Sequence, residues 1–253
     1  MSTVRRGRRA WRYGAALLAL CLSGPSQAVE HLRIAVAANL LPVMERIAID
    51  YQRETGVSLQ IAGGSSGAFF EQIRRGAPFD LFYSADAERP EQLADAERKA
   101  QTYLCGRLAL WTPVARPVLA QLPPGKIALA QPDTAPYGRA ALQVLERSGQ
   151  LAALTPRLVY AQDVGQAFQF VKSGNAPSGF IALSQLLAAA TPTSQYLRLD
   201  ASLYAPLVQK RIVLAQGERR AAAERFAAYF DAQQPLLKAA GYALPGEVGC
   251  AAE

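Results

Sequence analysis

The sequence predicts an α/β protein of two lobes, each a mostly parallel sheet flanked by helices, with a ligand cleft between the lobes. Three observations carry that prediction. Short β-rich runs alternate with helical patterns along the chain, the arrangement that gives parallel strands joined by right-handed crossovers. A length of 253 residues permits two lobes with cores of their own. A composition 51% hydrophobic and 19% charged is that of a folded chain and excludes intrinsic disorder.

The elements follow in order. Leu32-Arg33-Ile34-Ala35-Val36-Ala37 reads as the first strand and ends at Ala38-Asn39. The next helix sets Val43, Ile47, Ala48 and Tyr51 on one face, and Gly56 stops it. Val57–Ile61 is the second strand, Gly63-Gly64-Ser65-Ser66-Gly67 turns into a helix carrying Phe69, Phe70 and Ile73, and Phe79–Tyr83 is the third strand. The same grammar resumes after Pro113. Ile127–Ala130 is a strand, a helix covers about 139–147, Leu158–Tyr160 is a strand, and Asp163 is placed to cap a helix over about 164–172. Phe180–Leu183 and Leu207–Ala215 read as strands, and 218–240 as two helices parted at Pro235. The expected lobes are 29–112 with 200–253, and 113–199.

The N-terminus changes the meaning of the charge. Arg5, Arg6, Arg8, Arg9 and Arg12 precede an apolar run from Gly14 to Leu22, then Ser26-Gln27-Ala28. This is the pattern of a secretory signal over residues 1–28, cleaved after Ala28. The apolar run is far shorter than the roughly 20 residues that span a bilayer. Removing those five Arg from 27 basic residues leaves 22 against 20 acidic, so the mature chain carries only about +2. Nucleic acid is therefore not an expected partner. With Cys21 in the signal, Cys105 and Cys250 remain in an oxidising compartment, and both a disulfide and two free thiols stay open. A single His and so few Cys argue against a zinc site or a His-based catalytic triad.

Ligands of such sheets bind where strand ends meet helix starts. Asn39, Ser65-Ser66, Tyr137-Gly138 and Asp163-Val164 stand at four such junctions. Each helix start offers free N–H groups and the positive end of a dipole, which suits an anion. The plainer reading of each is an N-cap worth about 1 kcal/mol. The Gly-Ser turn lacks the Lys and the spacing of a P-loop. Asp80 and Asp86, which flank the third strand, read as loop braces.

Leu32–Asn39 (LRIAVAAN), Gly63–Asp86 (GGSSGAFFEQIRRGAPFDLFYSAD) and Asp163–Gln169 (DVGQAFQ) resemble the periplasmic molybdate-binding proteins of ABC importers. The likeness runs through nearly all of the mature chain, and the run Gly76–Asp86 is specific to that family. It implies the two-lobed type II periplasmic-binding-protein fold and no catalysis. It also implies no cofactor, a molybdate or tungstate ligand, a membrane permease as partner, and a periplasmic monomer. Carried over by position, the ligand-binding residues are Asn39, Ser66, Tyr137 and Val164. Ser66 gives hydroxyl and N–H, and Tyr137 and Val164 give backbone N–H groups from the second lobe. They hold the metal only through its oxyanion. Many members add a Tyr hydroxyl where this chain has Ala182, so one donor is gone. The competing readings are a sulfate, phosphate or organic-acid binder, which Arg139 or Asp163 inside the cleft would favour, a scaffold without ligand, and a secreted hydrolase using Ser65 or Ser66.

Overall fold

The computed structural model describes residues 31–114, 116–247 and 250, together with Ser2. The export segment expected at 1–28 otherwise lies outside the described residues.

The chain begins with β1 (His31–Ala37), α1 (Leu41–Thr55), β2 (Ser58–Gly64), α2 (Ser66–Arg74), β3 (Leu81–Tyr83) and α3 (Glu88–Gln92). Two adjacent strands follow, β4 (Gln101–Gly106) and β5 (Leu108–Trp111). Next come β6 (Ile127–Ala130), α4 (Pro136–Arg147), α5 (Leu151–Leu154), β7 (Leu158–Ala161), α6 (Val164–Lys172), β8 (Ser178–Ala182), α7 (Leu183–Ala188) and β9 (Tyr196–Arg198). The chain then runs through β10 (Leu207–Val213), α8 (Gly217–Ala232) and α9 (Gln234–Ala239).

Two five-stranded sheets result, ordered β2-β1-β3-β10-β4 and β7-β6-β8-β5-β9. In the first, β1 pairs in parallel with β2 and β3, while β10 runs antiparallel between β3 and β4. In the second, β6 pairs in parallel with β7 and β8, while β5 runs antiparallel between β8 and β9. The two sheets thus repeat one plan, with a strand from elsewhere in the chain inserted antiparallel in each. Because β5 belongs to the second sheet, the chain changes sheet at Arg107 and not at the expected edge near 112. It returns between β9 and β10.

Burial explains the helix faces. Val43, Met44, Ile47 and Tyr51 of α1 turn onto the first sheet, as their spacing requires. Phe226 and Phe230 of α8 close the same core. Their rings lie edge-on or tilted to Tyr51 and Tyr83, with centroids 5.0 and 5.1 Å apart. Trp111 of β5 stacks on Phe168 of α6 at 5.0 Å in the second unit. No helix among the described residues is long and apolar enough to cross a membrane.

Asp80 is a brace, as read from the sequence. Its buried carboxylate accepts the Arg33 N–H at 2.7 Å and the Arg219 guanidinium at 2.8 Å, and its carbonyl accepts from Leu214 and Ala215. Burial alone would raise its pKa. The hydrogen bonds from Arg219 and Arg33 outweigh that and hold the carboxyl below its ordinary value. Asp80→Asn should cost about 1–3 kcal/mol near neutrality, discounted from a fully buried pair because Arg219 is a third exposed. A depressed pKa gives stability that is complete above the ordinary carboxylate range and disappears as pH falls through the folded value. The gap between wild-type and variant urea curves should therefore shrink below about pH 4; a constant gap down to acid pH refutes the brace as an ionic one.

Candidate functional site

The four expected residues meet. The ends of β1 and β2 and the starts of α2, α4 and α6 surround one small, narrow cavity between the sheets, lined by buried residues. Asn39, Ser66 and Ala85 line it from one side, Pro136, Tyr137 and Val164 from the other. The lining residues leave room for a single small guest. Parallel strands make this convergence, since their C-terminal ends all point to one side.

Ser66 and Val164 are the first residues of α2 and α6, and Tyr137 follows Pro136 at the start of α4. At these positions the N–H has no partner inside its own helix. No backbone acceptor takes the N–H of Asn39, Ser66, Tyr137 or Val164 among the described residues. The Ser66 hydroxyl accepts the Ala85 N–H at 2.9 Å, which fixes the oxygen and leaves the hydroxyl proton available. Ala85 thus supports the site, and its place was visible only as part of the Gly76–Asp86 run.

The capping reading holds for the neighbours and not for the site residues. Ser65 caps α2, and Asp163 caps α6 by accepting the Gln166 N–H at 2.9 Å. Asn39 caps nothing. Its Nδ2 donates to Gln209 Oε1 at 3.2 Å and to the Tyr242 hydroxyl at 3.1 Å, and its Oδ1 is buried with no donor. Its carbonyl accepts from Tyr242 at 2.7 Å and from Ser184 at 2.9 Å. Gln209 also accepts from Tyr103 and donates to Tyr137 at 3.4 Å. Burial pushes the phenols of Tyr103, Tyr137 and Tyr242 upward, so the whole cluster stays neutral. Sequence reasoning missed Gln209 and Tyr242. The available signal was a lone Gln inside the apolar run Leu207–Val213.

Gly138 explains the Tyr137-Gly138 pair. A Cβ there would lie 2.2 Å from the Ala130 carbonyl oxygen, so only glycine lets the start of α4 rest on the end of β6. Ala182 is fully buried in an apolar cluster with Tyr137, and β8 gives the cavity no hydroxyl.

No Lys or Arg lines the cavity. Arg139 is held outside it by Asp86 at 3.2 Å and Glu88 at 3.3 Å. Asp86 also pairs with Arg89 and accepts from Ser84, so it too is a brace. Asp163 does line the cavity. His31 stands at the far end of β1, paired with Ser58, while Ala37 pairs with Gly64 beside the site. That separation is about 20 Å along the strand, so His31 gives Ser65 or Ser66 no base.

The profile of the bacterial extracellular solute-binding proteins matches residues 32–243, most of the chain. The chain belongs to that family. Among curated relatives, the molybdate-binding protein ModA of Azotobacter vinelandii is 36% identical over 91% of this chain and 95% of its own. The protein of the same name from Rhodobacter capsulatus is 35% identical over 89% and 92%. Among solved structures, the Azotobacter vinelandii periplasmic molybdate-binding protein superposes with a TM-score of 0.79 at 37% identity, covering 85% of this chain and 99% of that one. The sulfate-binding protein SubI of Mycobacterium tuberculosis superposes at 0.67 with 11% identity over 87% and 88%, a likeness of fold alone. The solute-binding protein described here therefore has the two-lobed architecture of its family, with the cavity at the junction where that architecture places ligands.

Proposed function

We propose that this solute-binding protein captures molybdate, and tungstate with it, outside the cytoplasmic membrane and delivers it as a monomer to the permease of an ABC importer. The observation that carries the reading is the meeting of free N–H groups from both lobes at one narrow cavity with no Lys or Arg in its lining. Preorganised neutral donors suit a fully ionised oxyanion, because each N–H stabilises charge and none can accept a proton from the guest. The relatives named above supply the identity of the anion. The site residues of this reading are Asn39, Ser66, Tyr137 and Val164, with the N–H groups of the last two reaching from the second lobe.

The lobes are 31–106 with 207–250, and 108–198. Their two crossings act as the hinge, and closure removes water and brings both sets of donors onto the oxygens. Sulfate is also a tetrahedral dianion, so discrimination rests on cavity size. The protein performs no chemistry on its cargo. Residues 1–28 direct export.

The test is thermal unfolding of the mature protein with molybdate, tungstate, sulfate or phosphate added separately. Ligand at about 100 times its dissociation constant adds about 2.7 kcal/mol, on the order of 5–10 °C for this size. Shifts with molybdate and tungstate alone are expected. One observation favours a second reading: Asp163 at the cavity edge is an acceptor for a protonated anion such as hydrogen phosphate. A shift with phosphate and none with molybdate establishes that instead.

A further inference from the structure

The Gly-Ser turn holds more than the binding Ser66. Its two neighbours grip the opposite lobe. The Ser65 hydroxyl donates to the Thr134 carbonyl at 2.9 Å, and the Gly67 N–H donates to the same oxygen at 2.9 Å. Thr134 lies in the loop between β6 and α4, three residues before Tyr137. Two arginines close the same seam. Arg89 pairs with Asp86 within its own lobe and donates to the Asp133 carbonyl across the seam at 3.1 Å. Arg139 reaches back from α4 to Asp86 at 3.2 Å and to Glu88 at 3.3 Å.

Gly67 sets how closely this seam shuts. A Cβ at 67 would lie 2.8 Å from the Thr134 carbonyl oxygen and 2.9 Å from its Cα, both backbone atoms, and 3.1 Å from Arg89 Nη2. Backbone cannot swing aside as a side-chain tip can, so the two lobes would have to part. Gly67 has no positive φ, so freedom of conformation is not the reason for glycine here. Close approach is.

We infer that Ser65, Gly67 and the Thr134 carbonyl, with Arg139 clasping Asp86, form an interlobe latch that fixes the spacing between the Ser66 and Tyr137 donors. These are positioning residues: they flank the donors, and the Ser65 hydroxyl, although it borders the cavity, is spent on the Thr134 carbonyl. The inference rests on the cavity being an anion site. Its consequence is kinetic. The anion enters the open form, where the latch is unmade, so association is unaffected by it. Release requires the latch to break, so weakening it speeds dissociation.

The experiment compares wild type, Gly67→Ala and Arg139→Gln by stopped-flow molybdate binding. Lobe separation is read in parallel from spin labels introduced by Arg75→Cys and Lys172→Cys. Gly67→Ala should raise the release rate about tenfold or more, leave association within about threefold, and lengthen the interlobe distance with molybdate bound. Arg139→Gln, at a partly exposed side chain, should act in the same direction and less. Alanine is a better helix former than glycine, so the ligand-free unfolding midpoint should hold; a role in folding alone would move it. Unchanged release with an unchanged distance in Gly67→Ala overturns the latch. If the wild type takes up no oxyanion, the reading of the cavity fails and the latch is judged on ligand-free distances. A longer distance in Gly67→Ala than in wild type supports it, and coincident distributions overturn it.

Discussion

Asn39→Asp is expected to weaken molybdate binding by about 3 kcal/mol or more, on the order of a hundredfold, with the fold intact. The substitution keeps size and shape, adds a charge, and replaces the Nδ2 donor to Gln209 and Tyr242 with an acceptor. Asn39 is buried at a cavity with no cation among its lining residues, so nothing there offsets an added carboxylate. Water is excluded and does not screen it, and the guest is a dianion. Burial opposes ionisation of an Asp at 39, so its pKa rises and the penalty should ease as pH falls. Asn39→Ala separates charge from contact. It keeps the backbone N–H but removes Nδ2 from Gln209 and Tyr242, leaving buried groups unpaired, for about 1–3 kcal/mol. Calorimetry decides. An Asp variant that binds within threefold of wild type removes Asn39 from the site.

What the sequence made legible follows from how local the cause is. Asn39, Ser66, Tyr137 and Val164 each stand where a strand pattern gives way to a helix pattern, and a parallel sheet carries such junctions to one side without further instruction. The helix 164–172 could be read to its end residues because Asp163 caps it locally. The strands β4 and β5 could not be read so. Gln101–Trp111 has no helix between its strands and only Arg107 to part them, and its partners β10 and β8 lie about 70 to 110 positions later in the chain. Their direction is set by those distant neighbours, which is why the sequence could suggest mostly parallel sheets without showing which strands run the other way, and why the lobe edge was expected near 112, beyond β5. The cluster of Gln209, Tyr242 and Asn39 joins three distant segments in the same way. Ser65 and Ser66 show the limit at closest range. The residues are adjacent and identical and both border the cavity, yet Ser65 spends its hydroxyl on capping α2 and gripping Thr134 while that of Ser66 accepts from Ala85. Ser65 is the extended N-cap residue and Ser66 the first helical one, and composition does not reveal that difference.

Loss of the Cys105–Cys250 bond should be the largest single blow to stability. The structure resolves the choice left open by the sequence: the two cysteines are bonded, across 145 positions, with their Cα atoms 5.4 Å apart. In the chain-entropy treatment a loop of that length contributes about 5 kcal/mol by restricting the unfolded chain, and Cys250→Ser should lower the unfolding free energy by about 3–5 kcal/mol. The unfolded chain also becomes less compact, so the dependence on urea should steepen slightly. The effect on binding should be smaller. Tyr242, which supports Asn39, is held beside β4 by the paired backbone bonds between Cys105 and Ala243, at 2.9 and 3.1 Å, and these survive the substitution. Urea curves with and without reductant give the check. Reduced wild type should fall on the Cys250→Ser curve, and the variant should ignore reductant. If reduction leaves the wild-type curve in place, the thiols are unpaired in solution. The final turn is then held by the apolar cluster of Cys105, Ala243 and Cys250, by backbone bonds, and by the Glu247 carboxylate on the Leu244 N–H and Lys238.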